Sequence, residues 1–168
     1  MAIPRVAVVA ERSVTCEIRI ENSTQWMSNP MDIEIKRQIS VAIENQPGRL
    51  GQIGRLLAQR GIDINAFSVI DNVEQAMVRL VTEEPAAART ALEQAGLPVV
   101  EVDVLIITME PGPGGLALVG ETLASAEINI EYAYSSAARD GNHGRLVVKT
   151  ANPRHAQAVL QQTHGENA

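Results

Sequence analysis

The sequence predicts an α+β fold built from two tandem copies of one small unit, and three observations carry that expectation. A Pro-Gly turn recurs at an offset of 66 residues, Pro47-Gly48-Arg49-Leu50 against Pro113-Gly114-Gly115-Leu116. Alternating apolar positions precede each turn, and apolar positions spaced three and four apart follow it. An apolar fraction of 45% over 168 residues supplies material for two small cores.

The elements follow in order. Ile39, Val41 and Ile43 map onto Leu105, Ile107 and Met109, the alternation of a half-buried strand. Leu50, Ile53, Gly54 and Leu57 map onto Leu116, Val119, Gly120 and Leu123, which fall on one helical face. The helix ends at Gly61 in the first copy and near Glu127 in the second. Ile62-Asp63-Ile64 and Ile128-Asn129-Ile130 then open a second strand. A longer turn at Arg139-Asp140-Gly141-Asn142 moves the offset to 68, so Val78, Leu80 and Thr82 match Leu146, Val148 and Thr150 in a third strand. Pro85, Ala88, Ala91 and Leu92 match Pro153, Ala156, Val159 and Leu160, with proline suited to a first helical turn.

After the Gly96-Leu97-Pro98 break, Val99 to Val102 supplies the first copy with a closing strand. The resulting βαββαβ order is the ferredoxin-like unit, an antiparallel sheet with helices on one face. The second copy ends in the polar stretch Thr163 to Ala168, so its fourth strand is missing or replaced. Val6 to Ala10 and Thr15 to Ile20 have strand-like content that could take the vacant edge; otherwise residues 1–31 form a peripheral extension. The expected organisation is an N-terminal extension over 1–31, a first unit over 32–101 and a second over 102–168.

Composition narrows the function. A formal charge of -6 and 2% aromatics argue against a nucleic-acid surface, which needs a basic stripe and often stacking rings. Cys16 is the only cysteine, which rules out an intrachain disulfide and a thiolate-rich metal site and fits a reducing, cytoplasmic setting. Glu11 and Arg12 interrupt Val6 to Ala10 before a secretory core can form, and elsewhere the longest strong apolar run, Val104 to Ile107, is strand-sized. His143, His155 and His164 lack ligand spacing. With no Ser-His-Asp order, no Walker-type loop and no base suggested for Ser135 or Ser136, no catalytic residue, metal or cofactor is expected. An acylphosphatase-like enzyme would need an anion-cradling arginine, for which Arg49 is the candidate.

Ile39-Ser40-Val41-Ala42-Ile43-Glu44-Asn45-Gln46-Pro47-Gly48-Arg49-Leu50, followed by Gln59-Arg60-Gly61-Ile62-Asp63-Ile64, resembles the ACT domain. The second copy resembles it through Pro113-Gly114-Gly115-Leu116 and Ala126-Glu127-Ile128-Asn129-Ile130. Together they look like the small stand-alone tandem ACT proteins, over Asp32 to Gln162. The first copy is also similar to the amino-terminal half of the small regulatory subunit of acetohydroxyacid synthase. The resemblance implies a non-enzymatic regulatory protein that binds a small-molecule amino acid, forms a homodimer through its ACT sheets and has a metabolic enzyme as a possible partner.

It also implies where the ligand lies, namely where two ACT domains meet. The corresponding residues are Asn45, Pro47, Gly48, Arg49, Leu50 and Asp63 in the first copy, and Gly114, Gly115, Leu116 and Asn129 in the second. The chemistry of the loop agrees. Gly48 lets the backbone approach a ligand, Pro47 stiffens the turn, and the amides of a helix start suit a carboxylate. Asp63 and Asn45 together suit an ammonium. Ordinary Pro-Gly punctuation and an Asx-type turn at Asp63 and Asn129 are the plainer alternatives. Pro111 stands opposite Asn45, so the two sites are expected to be unequal. Tyr132 and Tyr134 share one face of a strand and are expected to pack in a core or interface. That strand is an edge, and pairing it with its counterpart would give eight strands in one sheet.

Overall fold

A computed structural model describes residues 32–72, 75–109, 114–137 and 144–165. The elements are β1 (Asp32–Glu44), α1 (Arg49–Ala58), β2 (Ile64–Asn72), β3 (Gln75–Thr82), α2 (Pro85–Gln94), β4 (Val99–Met109), α3 (Gly115–Ser125), β5 (Ile130–Ala137), β6 (Gly144–Thr150) and α4 (Pro153–Gly165). The strand-helix-strand-strand-helix order occurs twice, as the repeat requires.

The strands form one sheet in the order β2-β3-β1-β4-β6-β5, with every neighbouring pair antiparallel. Among the described residues six strands form the sheet, not eight, because β1 and β4 are long enough to serve both copies. The second part of β1 pairs with β3, Gln38 to Glu44 against Val81 to Gln75, and completes the first copy. Its first part pairs with β4, Asp32 opposite Thr108 and Arg37 opposite Asp103. The fourth-strand position of the second copy is therefore taken by Asp32–Arg37. The segments 6–10 and 15–20, suggested for that position, lie outside the described residues.

All four helices cover one face of the sheet. Ile39, Val41 and Ile43 meet Ile53 and Leu57 of α1 and Ala88, Ala91 and Leu92 of α2 in one core. Ile33, Leu105 and Ile107 meet Val119 and Leu123 of α3 and Ala156 and Leu160 of α4 in the other. Ile33 and Ile39 lie on the same face of the same strand, so period-two alternation continued through β1 feeds both cores.

The opposite face is not left to solvent. The sheet curls, as twisted antiparallel sheets do, and buries Ala66, Val81, Val104, Ile106 and Val147 in a third cluster. Val104 to Ile107 is consequently buried on both faces, which explains an unbroken apolar run in an antiparallel strand. Curling also brings the edges together: Ser136 Oγ of β5 donates to the Asn65 carbonyl of β2 at 2.9 Å. Burying Val81, Val104, Ile106 and Val147, at about 1.5–3 kcal/mol each, outweighs one hydrogen bond near 1 kcal/mol. Apolar burial closes the interior, and the hydrogen bond fixes where the edges meet.

Candidate functional site

The end of the sheet where β1 finishes carries the first glycine loop. Gln46 N–H donates to Glu44 O at 2.9 Å and Arg49 N–H to Gln46 O at 3.3 Å, turning the chain into α1. Gly48 enters the helix at φ 87°, and no side chain caps it. A Cβ at Gly48 would meet nothing within 4 Å. The positive φ, not crowding, requires glycine here. Pro47 is exposed beside it and Leu50 is 42% exposed. Arg49 is held by an ion pair with Glu44 and by a 3.3 Å hydrogen bond to Gln52 Oε1. Its guanidinium is thus directed at its own helix and strand end, which disfavours the acylphosphatase-like role.

Asn45 Nδ2 donates to Asp71 Oδ1 at 2.8 Å. The structure does not bring Asn45 and Asp63 together. Through β3, β1 and β2 run parallel, with Ile43 level with Asp71 by way of Ala76. Asp63 precedes the start of β2, about 25 Å of strand away from that level. The reason is the crossover: α1 returns the chain along the sheet before β2 begins. Asp71, which the sequence reading passed over, is the carboxylate that joins Asn45.

The second glycine loop repeats the backbone geometry. Gly114 has φ 108°, no side chain caps α3, and Leu118 N–H donates to Gly114 O at 2.9 Å. A Cβ on Gly115 would approach Met109 Sδ to 3.1 Å, and Leu116 is 62% exposed. Because β4 runs antiparallel to β1, this loop sits at the opposite end of the sheet from Gly48. Asn129 is exposed before β5, away from Gly114 as Asp63 is from Gly48. Pro111 and Pro113 lie outside the described residues.

The interior between the copies holds a polar network. Gln38 is fully buried; its Nε2 donates to the Tyr132 hydroxyl at 2.7 Å, and the Tyr134 hydroxyl donates to its Oε1 at 3.0 Å. The Arg79 guanidinium stands 3.9 Å from the centre of the Tyr132 ring, a cation–π contact. Both tyrosines therefore pack between the copies, as their shared face suggests. Burial and the neighbouring Tyr132 raise the Tyr134 pKa well above the usual phenol value, only partly opposed by Arg79.

Beyond this network, at the end of the sheet where β1 begins, the interior opens into a cleft of about 210 Å³. Lys36 lies on its wall and pairs with Glu83 at 2.9 Å and Glu34 at 3.3 Å. Burial lowers the Lys36 pKa, but the two carboxylates more than offset it, so the net shift is upward. Arg145 also lines the cleft, and its buried Nε has no hydrogen-bond partner. Sequence reasoning missed this cleft because its residues come from five strands. Among the described residues, no cluster of three or more His, Cys, Asp or Glu could hold a metal ion. No helix among them is long and apolar enough to cross a membrane.

Two ferredoxin-like units that share their central strands, each with a glycine-led helix after its first strand, form a tandem ferredoxin-like domain pair. The family model for the ACT domain pair matches residues 33–165, and the chain belongs to that family. A protein of known structure from Bacteroides thetaiotaomicron is similar, with 29% identity, a TM-score of 0.71 and coverage of 77% of this chain and 89% of that one. The regulatory subunit of aspartate kinase from Thermus thermophilus, in its ligand-free form, shares the fold at 19% identity and a TM-score of 0.64, covering 83% and 97%. The aspartokinase alpha and beta subunits share it at 17% identity and a TM-score of 0.60, covering 82% and 99%. Comparison with curated proteins gives no match.

Proposed function

We propose that this ACT domain pair is a non-enzymatic amino-acid sensor whose ligand sits beside Gly48 where ACT domains meet. The observation that carries this reading is the start of α1, where Gly48 at φ 87° leads into helical amides that no side chain caps and where a Cβ would meet open space. Such amides, at the positive end of the helix dipole, suit the ligand's carboxylate. Asp71, fixed by Asn45 at the same end of the sheet, replaces Asp63 as the carboxylate available to an ammonium.

Edge strand β2 supports a homodimer that would complete the site. Phe67, Val69 and Ile70 are 58%, 41% and 43% exposed along it, and an unpaired edge carrying apolar side chains favours pairing with a second copy. Ligand binding at that junction would favour one arrangement of the chains and so change affinity for a partner protein, in a cytoplasmic setting that suits a single cysteine.

A second reading is a regulatory subunit of a biosynthetic enzyme. Within it, a partner of the aspartate kinase type, suggested by the shared fold of that enzyme's regulatory subunit, stands beside the acetohydroxyacid synthase type. Co-purification with a catalytic subunit would separate it from a free-standing sensor. The sensor reading is tested by a thermal-shift screen of the common amino acids, since a ligand that binds only the folded state raises the transition temperature. At least one should do so for the parent chain and fail to do so for Gly48→Val; no shift with any of them contradicts the reading.

A further inference from the structure

We propose that the outer face of α3 and α4 is a self-association surface, on which a second molecule of this chain docks by a two-fold contact that sets Glu121 of each molecule against Arg154 of the other. Val119 and Leu123 of α3 and Ala156 and Leu160 of α4 face the core. Helical spacing therefore puts Glu121 and Ala124 on the outer side of α3 and Arg154 and Ala158 on the outer side of α4, and all four are exposed. Glu121 and Arg154 are the only formally charged residues along the two helices. No side-chain hydrogen bond or ion pair joins either to a described residue. Two opposite charges are thus left over on one face, and such a face is complementary to itself.

The repeat supplies the contrast within the chain. At an offset of 66, Gln52, Arg55 and Gln59 of the first copy stand where the second has Leu118, Glu121 and Ser125. The charges along α1 and α2 are Arg49, Arg55, Arg89 and Glu93; Arg49 is matched by Glu44, and Arg89 by Glu93 and Glu101. Only a cation is left over there, and it would repel its own counterpart in a second molecule. The chain as a whole carries -6, so two molecules repel, and close contact favours a face whose charges cancel. Geometry permits both ion pairs at once. Ile130 and Thr150 are register partners, which places the end of α3 and the start of α4 at one level of the sheet. Glu121 lies about one turn before that end, and Arg154 lies in the first turn of α4. A two-fold axis running between the helices, along their length, lays α3 over the other molecule's α4 at the same level. Ala124 and Ala158 let the helices approach to about 8–10 Å, and Leu116, 62% exposed at the start of α3, adds apolar area. The face measures roughly 20 Å by 20 Å. About 400 Å² on each molecule is small for a permanent dimer and suits an association in the micromolar range.

The surface lies over the second copy and is separate from edge strand β2, so neither contact depends on the other. The test is sedimentation equilibrium of the full chain carrying Phe67→Asp, which places a charge on the β2 edge and removes pairing there. This chain should still show a monomer–dimer equilibrium, with a dissociation constant of about 1–100 μM. Glu121→Arg and Arg154→Glu, each added to it, should weaken association at least about tenfold, because like charges then face each other. The double change Glu121→Arg with Arg154→Glu restores opposite charges in exchanged places and should recover the constant to within about threefold. All of these positions are exposed, and circular dichroism checks that each variant is folded. The proposal is overturned if the Phe67→Asp chain stays monomeric up to about 200 μM, if the single changes associate as it does, or if the double change recovers nothing. Pairing at the β2 edge is judged apart from this, by the parent chain against Phe67→Asp.

Discussion

Gln38 and Tyr132 are 94 residues apart in the chain, yet the amide nitrogen of one donates to the hydroxyl of the other at 2.7 Å. Tyr134 closes the arrangement by donating to the oxygen of the same carboxamide at 3.0 Å. One buried glutamine from the first copy thus satisfies two phenols from the second, and the inner face of the sheet carries a specific polar junction as well as an apolar cluster.

Gln38→Leu keeps roughly the volume and removes the hydrogen bonds to both tyrosines, together with a longer one to Ser40 Oγ at 3.3 Å. At about 1 kcal/mol for each bond, with two phenols left to find partners, the loss should be about 2–3 kcal/mol. Combining it with Tyr132→Phe and Tyr134→Phe should recover most of that loss, because the orphaned hydroxyls are gone. Urea denaturation of the variants reads the cycle; a triple variant no more stable than Gln38→Leu alone would show that the junction is not the source.

Tyr134 makes stability fall in alkali. Its pKa is raised in the folded state, so the unfolded chain loses this proton first, starting near pH 10. Above that pH the folded state binds more protons than the unfolded one, and stability declines with rising pH; below it the contribution is fully present. Tyr134→Phe should flatten the decline. Denaturation midpoints measured across alkaline pH check this, and an equal decline in the variant contradicts it.

Thr82 and Thr150 occupy matching positions in the two copies, are 2% and 0% exposed, and each has a buried hydroxyl with no partner. Valine has the same shape without that cost. Thr82→Val and Thr150→Val should each be stabilising by about 1 kcal/mol. A loss of stability in thermal denaturation would mean that the hydroxyls are satisfied in solution.

Gly61 ends the first copy's leading helix at φ 70°, and Glu127 holds the same position in the second copy at φ 58°. In both, the next residue closes the turn onto the last helical leucine, Ile62 N–H to Leu57 O at 3.1 Å and Ile128 N–H to Leu123 O at 2.8 Å. The left-handed conformation costs about 1–2 kcal/mol with a Cβ present, and glycine's greater freedom when unfolded offsets roughly 0.5–1. Glu127→Gly should therefore raise stability by about 0.5–1 kcal/mol, seen as a higher melting temperature.

Much of the fold is legible in the sequence because the repeat places it twice. The helix-facing leucines, the glycine entries at Gly48 and Gly114 and the stops at Gly61 and Glu127 are local signals, and each appears where its physics puts it. Partner choice is not local. Ile33 and Ile35 continue the alternation of Ile39, Val41 and Ile43, but nothing in it says that they extend the second copy's sheet and not the first's. The same limit hid the inner face: Val104 and Ile106 are apolar in an antiparallel strand, which signals a second buried surface without saying what covers it. The candidate ligand residues suffer most. Asn45 and Asp63 are joined by one short helix in sequence, and that helix carries Asp63 back along the sheet while Asp71 returns to Asn45.

Isothermal titration calorimetry of the intact chain with each common amino acid tests the central claim most directly. The account predicts saturable binding heat for at least one of them, lost when Gly48 is replaced by valine. The absence of saturable heat for every one, from a chain shown to be folded, would contradict it.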